Sequence, residues 1–263
     1  MGIKPVADFE TLNYQIMTDL NTSTEAPNTT ETAIGFIPCY RLPFLSLFHA
    51  DCMEIMKQYP DKYFDLAIVD PPYGIDITKQ FENANKAGTK SMFKQTKGIV
   101  KKDWDAEIPT AEYFDELKRV SKNQIIWGGN YFLDYLGNTK CMLIWDKMNG
   151  GNNMADAELD WTSFDKAVRM FRMHHFSRGY ETKIHLTQKP TKLYDWILSK
   201  FADEGDFILD THFGSGSIAL AVYKANRLDK MNLHLTACEI DKEYIDKAIK
   251  RISESIKQGT LSF

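Results

Sequence analysis

Apolar positions along this chain alternate between two rhythms. Short, nearly unbroken apolar runs at residues 45–49, 64–69, 124–128, 141–146, 158–163, 207–210 and 233–238 predict strands, most of them buried on both faces. Between them, apolar residues recur three and four positions apart, which predicts helices near 52–59, 111–121, 191–202, 216–226 and 241–256. In the last of these Tyr244, Ile245, Ala248 and Ile252 form a single stripe that would pack on a sheet. Strand and helix in alternation imply an α/β fold, with a largely parallel sheet covered by helices on both faces. Residues 1–35 depart from the pattern. Their polar centre, Asn21 to Thr30, predicts a mobile arm or a loosely packed extension, and 36–263 read as one domain without internal repeats.

Two strand ends carry candidate chemistry. The run Asp65 to Val69 leads directly into Asp70-Pro71-Pro72-Tyr73. An ionised Asp70 offers only acceptors. The two prolines have no N–H and a fixed φ, so the carbonyls are set in direction and no local donor competes for them. Tyr73 offers a flat face to an aromatic ring. Together the four residues suit an exocyclic amine on a planar heterocycle, one hydrogen on Asp70 and one on the Pro71 carbonyl. Held that way, the nitrogen is drawn towards a tetrahedral form whose lone pair is free to accept a methyl group.

Near the other end, Phe207 to Asp210 is followed by Thr211-His212-Phe213-Gly214-Ser215-Gly216-Ser217 and then by a helical pattern. Strand, glycine turn and helix form the start of a nucleotide-type βαβ unit, in which small residues let a ligand approach the backbone. The next strand ends at Glu239, where an acid commonly takes ribose hydroxyls.

With these segments in place, the chain closely resembles the amino-methylating DNA methyltransferases of the beta class, whose catalytic tetrapeptide precedes the cofactor loop. The resemblance runs from about Phe44 to Ile256, through His49 to Met56, Asp70 to Ile75, Ile125 to Asn130, Leu143 to Lys147, His185 to Pro190 and the glycine loop. It implies a Rossmann-like seven-stranded fold and S-adenosylmethionine as methyl donor. It also implies catalysis by Asp70, Pro71, Pro72 and Tyr73. Cofactor binding falls to Asp51, Cys52, Asp70, Thr187, Lys189, Pro190, Asp210, Phe213, Gly214, Ser215, Gly216, Ser217, Glu239 and Ile240, with Asp51 near the adenine and Thr187 to Pro190 at the methionine end. The chain departs from the family in three places. Thr211 and His212 stand where Pro-Phe is usual, Leu186 replaces a proline, and Ala50 replaces a glycine. None of these removes an acid.

Charge fits a nucleic-acid substrate once it is resolved along the chain. The net charge is −4, yet Lys79 to Lys102 holds seven lysines and one acid, and Lys166 to Lys183 holds five basic residues and one acid. These segments, with Phe81, Phe93, Phe171, Phe176 and Tyr180 interleaved, predict DNA-facing insertions at about 77–108 and 166–184. The candidate contacts are Lys90, Lys94, Lys97, Lys101, Lys102, Arg169, Arg172 and Arg178. Double-stranded DNA is the expected partner. A cognate restriction endonuclease and a homodimer are partners that the resemblance admits.

No apolar stretch approaches a membrane span, and the N-terminus lacks a basic-then-apolar signal, so a cytoplasmic protein is expected. Four cysteines without paired spacing, and His174-His175 without a companion ligand, predict neither a disulfide framework nor a metal site. The expected reaction methylates adenine N6 of a flipped-out base, because aspartate heads the tetrapeptide and in the resembling family goes mostly with adenine. Cytosine N4 and RNA are the alternative substrates. A nicotinamide-dependent oxidoreductase gives Asp70 to Tyr73 no role, and a non-catalytic nucleic-acid-binding module gives the acids none.

Overall fold

The computed structural model describes residues 36–76, 105, 107–149, 155–174, 183–185 and 187–260. The 1–35 arm, most of the first basic insertion, and Lys90, Lys94, Lys97, Lys101, Lys102 and Arg178 lie outside the described residues.

Nine strands among the described residues form one sheet: β1 (Tyr40–Leu42), β2 (Leu45–His49), β3 (Phe64–Val69), β4 (Ser121–Trp127), β5 (Met142–Asp146), β6 (Ala157–Thr162), β7 (Arg169–Arg172), β8 (Phe207–Asp210) and β9 (His234–Glu239). Their order is β1-β2-β9-β8-β3-β4-β6-β5-β7. All seven predicted strands are present, and the Rossmann-like architecture stands. Two short strands, β1 and β7, extend the sheet at its edges. The central five, β2-β9-β8-β3-β4, are mutually parallel. Beyond them the sheet changes character, because β6 runs antiparallel to both β4 and β5.

Two layers of helix cover the sheet. On one face α1 (Cys52–Met56) and α2 (Ala111–Val120) bury Ile55, Met56, Tyr113, Phe114 and Leu117 against Phe48, Phe64, Val69, Leu209 and Cys238. The short α3 (Leu133–Leu136) joins the same cluster through Leu136. On the other face α4 (Thr191–Phe201), α5 (Ser217–Lys224) and α6 (Lys242–Thr260) pack Leu193, Ile197, Ile218, Val222, Ile245 and Ile252 onto Leu47, Leu66, Ile68 and Leu235. Central strands buried on both faces explain their unbroken apolar runs.

Register sets the shape of the sheet's carboxyl edge. Ala67 pairs with Leu209 and Asp210 with Ala237, so Asp70 and Glu239 each stand two residues beyond the level of Asp210. Two extended residues reach about 6.5 Å. The carboxyl edge of the sheet is therefore notched at β8, at the point where a glycine turn leaves it.

Phe114 is fully buried and touches the rings of Tyr113, Phe132 and Tyr135. Phe114→Ala should lower stability by about 3–5 kcal/mol, read as a fall in the urea midpoint with an unchanged m-value.

Candidate active site

The tetrapeptide leaves β3 at the carboxyl edge, and Asp70 is held there on both oxygens. Lys189 Nζ stands 2.5 Å from Oδ2, and the Tyr73 hydroxyl donates to Oδ1 at 2.6 Å. The Lys189 side chain is only 3% exposed. Its ammonium also donates to the Tyr73 hydroxyl at 3.2 Å, approaches Glu158 Oε2 at 3.5 Å, and lies 4.7 Å from the Trp127 ring centroid. Glu158 is paired in turn with Lys147 at 2.5 Å. The result is a chain of alternating charge, Lys147, Glu158, Lys189, Asp70, running from the end of β5 to the tetrapeptide.

Burial alone would discharge such groups. For Lys189 it pulls the pKa down, but Asp70 and Glu158 outweigh it and the net shift is upward. For Glu158 burial pushes upward, while Lys189 and Lys147 carry the net shift down. Asp160, two residues along β6 on the same side as Glu158, behaves differently. It is fully buried, neither carboxyl oxygen has a hydrogen-bond partner among the described residues, and burial drives its pKa well above the ordinary range. With Asp160 neutral, two ammoniums face two carboxylates and the buried cluster balances.

Tyr73 does more than offer a face. Its ring is stacked on Tyr131, with centroids 5.0 Å apart and planes 15° apart, and its backbone N–H donates to Asp105 Oδ1 at 2.7 Å. Gly128 lies against the ring. A Cβ there would come 2.3 Å from Tyr73 Cε1, and at φ +67° any other residue is strained as well. Pro71 is buried and Pro72 half-buried beside it.

The cofactor half of the sequence reading gathers in and around the notch. Glu239 accepts the Gly214 N–H on Oε2 and the Asp241 N–H on Oε1, both at 2.9 Å, and burial raises its pKa. A carboxylate has about four acceptor positions, so two remain for a ligand diol. Gly214 is at φ +50°, and a Cβ there would stand in van der Waals contact, 3.8 Å from the His185 ring and from the His212 carbonyl. The rest of the loop is anchored from behind. Arg251 of α6, itself buried, donates to the Ser215 carbonyl at 2.8 Å and to Ser217 Oγ at 3.0 Å, and Ser217 Oγ donates to the Lys189 carbonyl at 2.8 Å. Gly216 touches Phe213 and Ile252. Thr187 meets His185 Nδ1 through both its N–H and its hydroxyl, at 3.3 and 3.2 Å, and Pro190 precedes α4.

Several predicted residues also make contacts within the protein. The Lys189 ammonium is committed to Asp70, Glu158 and Tyr73, so its side chain serves the tetrapeptide, and only its backbone joins the cofactor loop. Phe213 is 3% exposed and packs into the α4–α6 core, which leaves His212 as the loop ring on the opposite face. Asp51 caps α1 by accepting the Met53 N–H at 2.7 Å. Asp210 is buried, accepts the His212 N–H at 3.0 Å, and has its pKa pushed up to about 8 by burial. Cys52, half-buried, is pushed by burial to about 12, and buried Cys238 rises well above its usual value, so both thiols are neutral. Ile240 stands exposed beyond Glu239. The second basic segment is partly sheet: Arg169 and Arg172 are exposed on edge strand β7, and Arg172 is paired with Asp146 at 3.3 Å.

Glu158, Asp160, Tyr131, Arg251 and Tyr113 were not among the predicted site residues. For the two acids there was a signal: they alternate within an apolar strand, which puts both on one face of it.

The chain is similar to known proteins over most of the described sheet. Residues 140–250, from β5 through the notch into α6, match the family model described as DNA methylase. The type II methyltransferases M.BglII of Bacillus subtilis and M.HinfI of Haemophilus influenzae are each 25% identical to this chain, over 79% and 80% of it, and each is covered over 68% of its own length. Over these stretches the chain is similar to the amino-methylating DNA methyltransferases. Solved structures share the fold at lower identity. M1.HpyAVI, solved as a complex with SAM, superposes with a TM-score of 0.51 at 20% identity, over 79% of this chain and 98% of its own. The cytosine-N4-specific PvuII DNA methyltransferase gives 0.53 at 13% identity, over 86% and 94%. Among the described residues no helix is long and apolar enough to cross a membrane.

Two outcomes follow from the charges. Lys189→Met strands acids around a vacated cation and should cost about 3–5 kcal/mol at neutral pH, whereas Asp160→Asn, which replaces an already neutral acid, should cost less than about 1 kcal/mol; urea titration compares them. His212 has its pKa lowered to about 4 by burial. Its folded value lies below the unfolded value of about 6.5, so as pH falls from 6.5 to 4 the unfolded state takes up a proton that the native state refuses, and stability is lost. His212→Phe should remove that part of the acid loss, on the order of 1–2 kcal/mol between pH 7 and 5, seen as a smaller difference between urea curves at the two pH values.

Proposed function

We propose that this protein transfers a methyl group from S-adenosylmethionine to N6 of an adenine flipped out of a short site in double-stranded DNA. The observation that carries the reading is the placement of Asp70, fixed by Lys189 and Tyr73, on the same sheet edge as the glycine loop and Glu239. An amine grip and a nucleoside cradle are thus two strands apart.

The residues present fit the cofactor. Glu239 has acceptor positions left for ribose hydroxyls, and Thr187 to Pro190 with Ser217 stand on the α4 side for the methionine end. Bound S-adenosylmethionine supplies a methyl group already activated on a sulfonium. Asp70 then has one task, which is to accept a hydrogen of the target amine and stabilise the positive charge that grows on nitrogen. Each of its oxygens already receives one hydrogen bond, and a carboxylate oxygen can take a second. Lys189 keeps the carboxylate from turning, so the acceptor is aligned before the base arrives, and alignment is where most of the acceleration is gained. Tyr73 stacks the base when Tyr131 gives way. Flipping the base costs about a few kcal/mol, recovered by this stacking and by contacts from the basic segments. Arg169 is free to track phosphate, with Arg172 available once it leaves Asp146.

Adenine is favoured over cytosine by the aspartate that heads the tetrapeptide. Expression in a methylation-free bacterial host, followed by genome sequencing for modified bases, is expected to show N6-methyladenine at one short motif. Asp70→Ala should abolish the mark while calorimetry shows S-adenosylmethionine still bound. N4-methylcytosine in its place would overturn the base assignment, and label transferred to RNA or protein with none on DNA would overturn the substrate.

A further inference from the structure

We propose that His212 recognises the cofactor, its Nε2–H donating to the nucleoside half of S-adenosylmethionine and aimed there by a hydroxyl relay from Tyr113 through Thr211. The inference rests on the methyl-transfer reading above and concerns the loop position at which this chain carries Thr-His.

The relay has one consistent direction. The Tyr113 hydroxyl lies 2.6 Å from Thr211 Oγ1, and Thr211 Oγ1 lies 2.9 Å from His212 Nδ1. Tyr113 and Thr211 are both 3% exposed, so each hydroxyl proton must point at an acceptor. If Tyr113 donates to Thr211 and Thr211 donates to Nδ1, every proton is placed. In the reverse direction the Tyr113 proton has no acceptor among the described residues. Burial keeps the imidazole neutral at physiological pH. With Nδ1 accepting, its single proton is on Nε2, which takes no partner among the described residues. The ring itself is steadied by the edge of Tyr113, 5.6 Å away and inclined at 71°, and the backbone by the His212 N–H to Asp210 bond.

The sheet decides which half of the ligand this donor meets. Tyr113 belongs to the α1–α2 face, and the Asp51 carboxylate at the start of α1 is the charge that acts on the His212 ring. Thr187 to Pro190, Ser217 and Arg251 lie with α4–α6, as does Phe213. His212 and Phe213, adjacent in sequence, therefore point to opposite faces. The methionine end belongs with the Thr187 to Pro190 side, and the purine and ribose with the Asp51, Glu239 and His212 side. A neutral donor there meets purine nitrogen or ribose oxygen.

Two measurements test this. Nitrogen-15 spectra of histidine-labelled protein at pH 7 should show His212 in the Nε2–H tautomer, shifting to a mixture in Thr211→Val. Calorimetry with S-adenosylmethionine and 5′-methylthioadenosine should show His212→Phe weakening both about three- to tenfold. Thr211→Val, which keeps the ring, should show a smaller loss, and His212→Gln, which restores a donor, should recover part of it. Unchanged binding of both ligands by folded His212→Phe, or an Nδ1–H tautomer, would overturn the proposal. A loss confined to S-adenosylmethionine would overturn the assignment to the nucleoside half. If the wild-type protein binds neither ligand, the methyl-transfer reading itself falls, a result distinct from wild-type binding that His212→Phe leaves intact.

Discussion

The ammonium of Lys189 sits where an isolated charge would be discharged, 3% exposed beneath the Trp127 ring, and stays charged because Asp70 and Glu158 close on it from two sides. That arrangement is an obligation as much as a support. Coulomb attraction between buried groups offsets desolvation only when the geometry is held and the remaining valences are satisfied. The fold meets this by fixing each partner on a different piece of regular structure. Asp70 leaves the end of β3, Glu158 is in β6, and Lys189 immediately precedes α4 while its carbonyl is tied to Ser217 at the start of α5. A change in any of these elements reaches Asp70 directly.

The carboxyl edge of the sheet divides between its two faces. On the α4–α6 side, Arg251 draws the glycine loop and the Lys189 backbone together, which links that loop to the residue that holds Asp70. On the α1–α2 side, Tyr113, Thr211, His212 and Asp51 form a separate polar lining. The recess at Asp210 lies between Asp70 and Glu239, and its buried, largely neutral acid lets it serve as floor without adding negative charge to the site.

Much of this was legible in the sequence, for reasons that differ by element. Parallel strands buried on both faces announce themselves as apolar runs, so β3, β8 and β9 and the acids at their ends could be placed. Strands at the sheet edge do not. In β7 only Phe171 is even half-covered, so Arg169 to Arg172 reads as a basic loop, and β1 is too short to show a rhythm. The reversal of β6 was available from the short connection after β5, which leaves no room for a crossover helix. Glu158 and Asp160 escaped because polar positions in a half-apolar strand are ordinarily assigned to solvent. Here that face is turned onto a lysine about thirty positions away in sequence but on another layer of the fold. Lys189 was expected at the cofactor as a whole residue: its backbone lies by the glycine loop, and only three dimensions show where four methylenes lead.

The place of β6 between β4 and β5 has a consequence for how such an enzyme can change. β6 is held by ladders on both sides, and it carries Glu158, which with Asp70 keeps Lys189 charged; β7 is held by one ladder and carries exposed arginines. Substitution in the outer strand exchanges groups that face solvent, whereas substitution in the inner one disturbs a balanced set of buried charges. The boundary between what is free to drift and what must stay constant thus falls within a single sheet, only two strands wide.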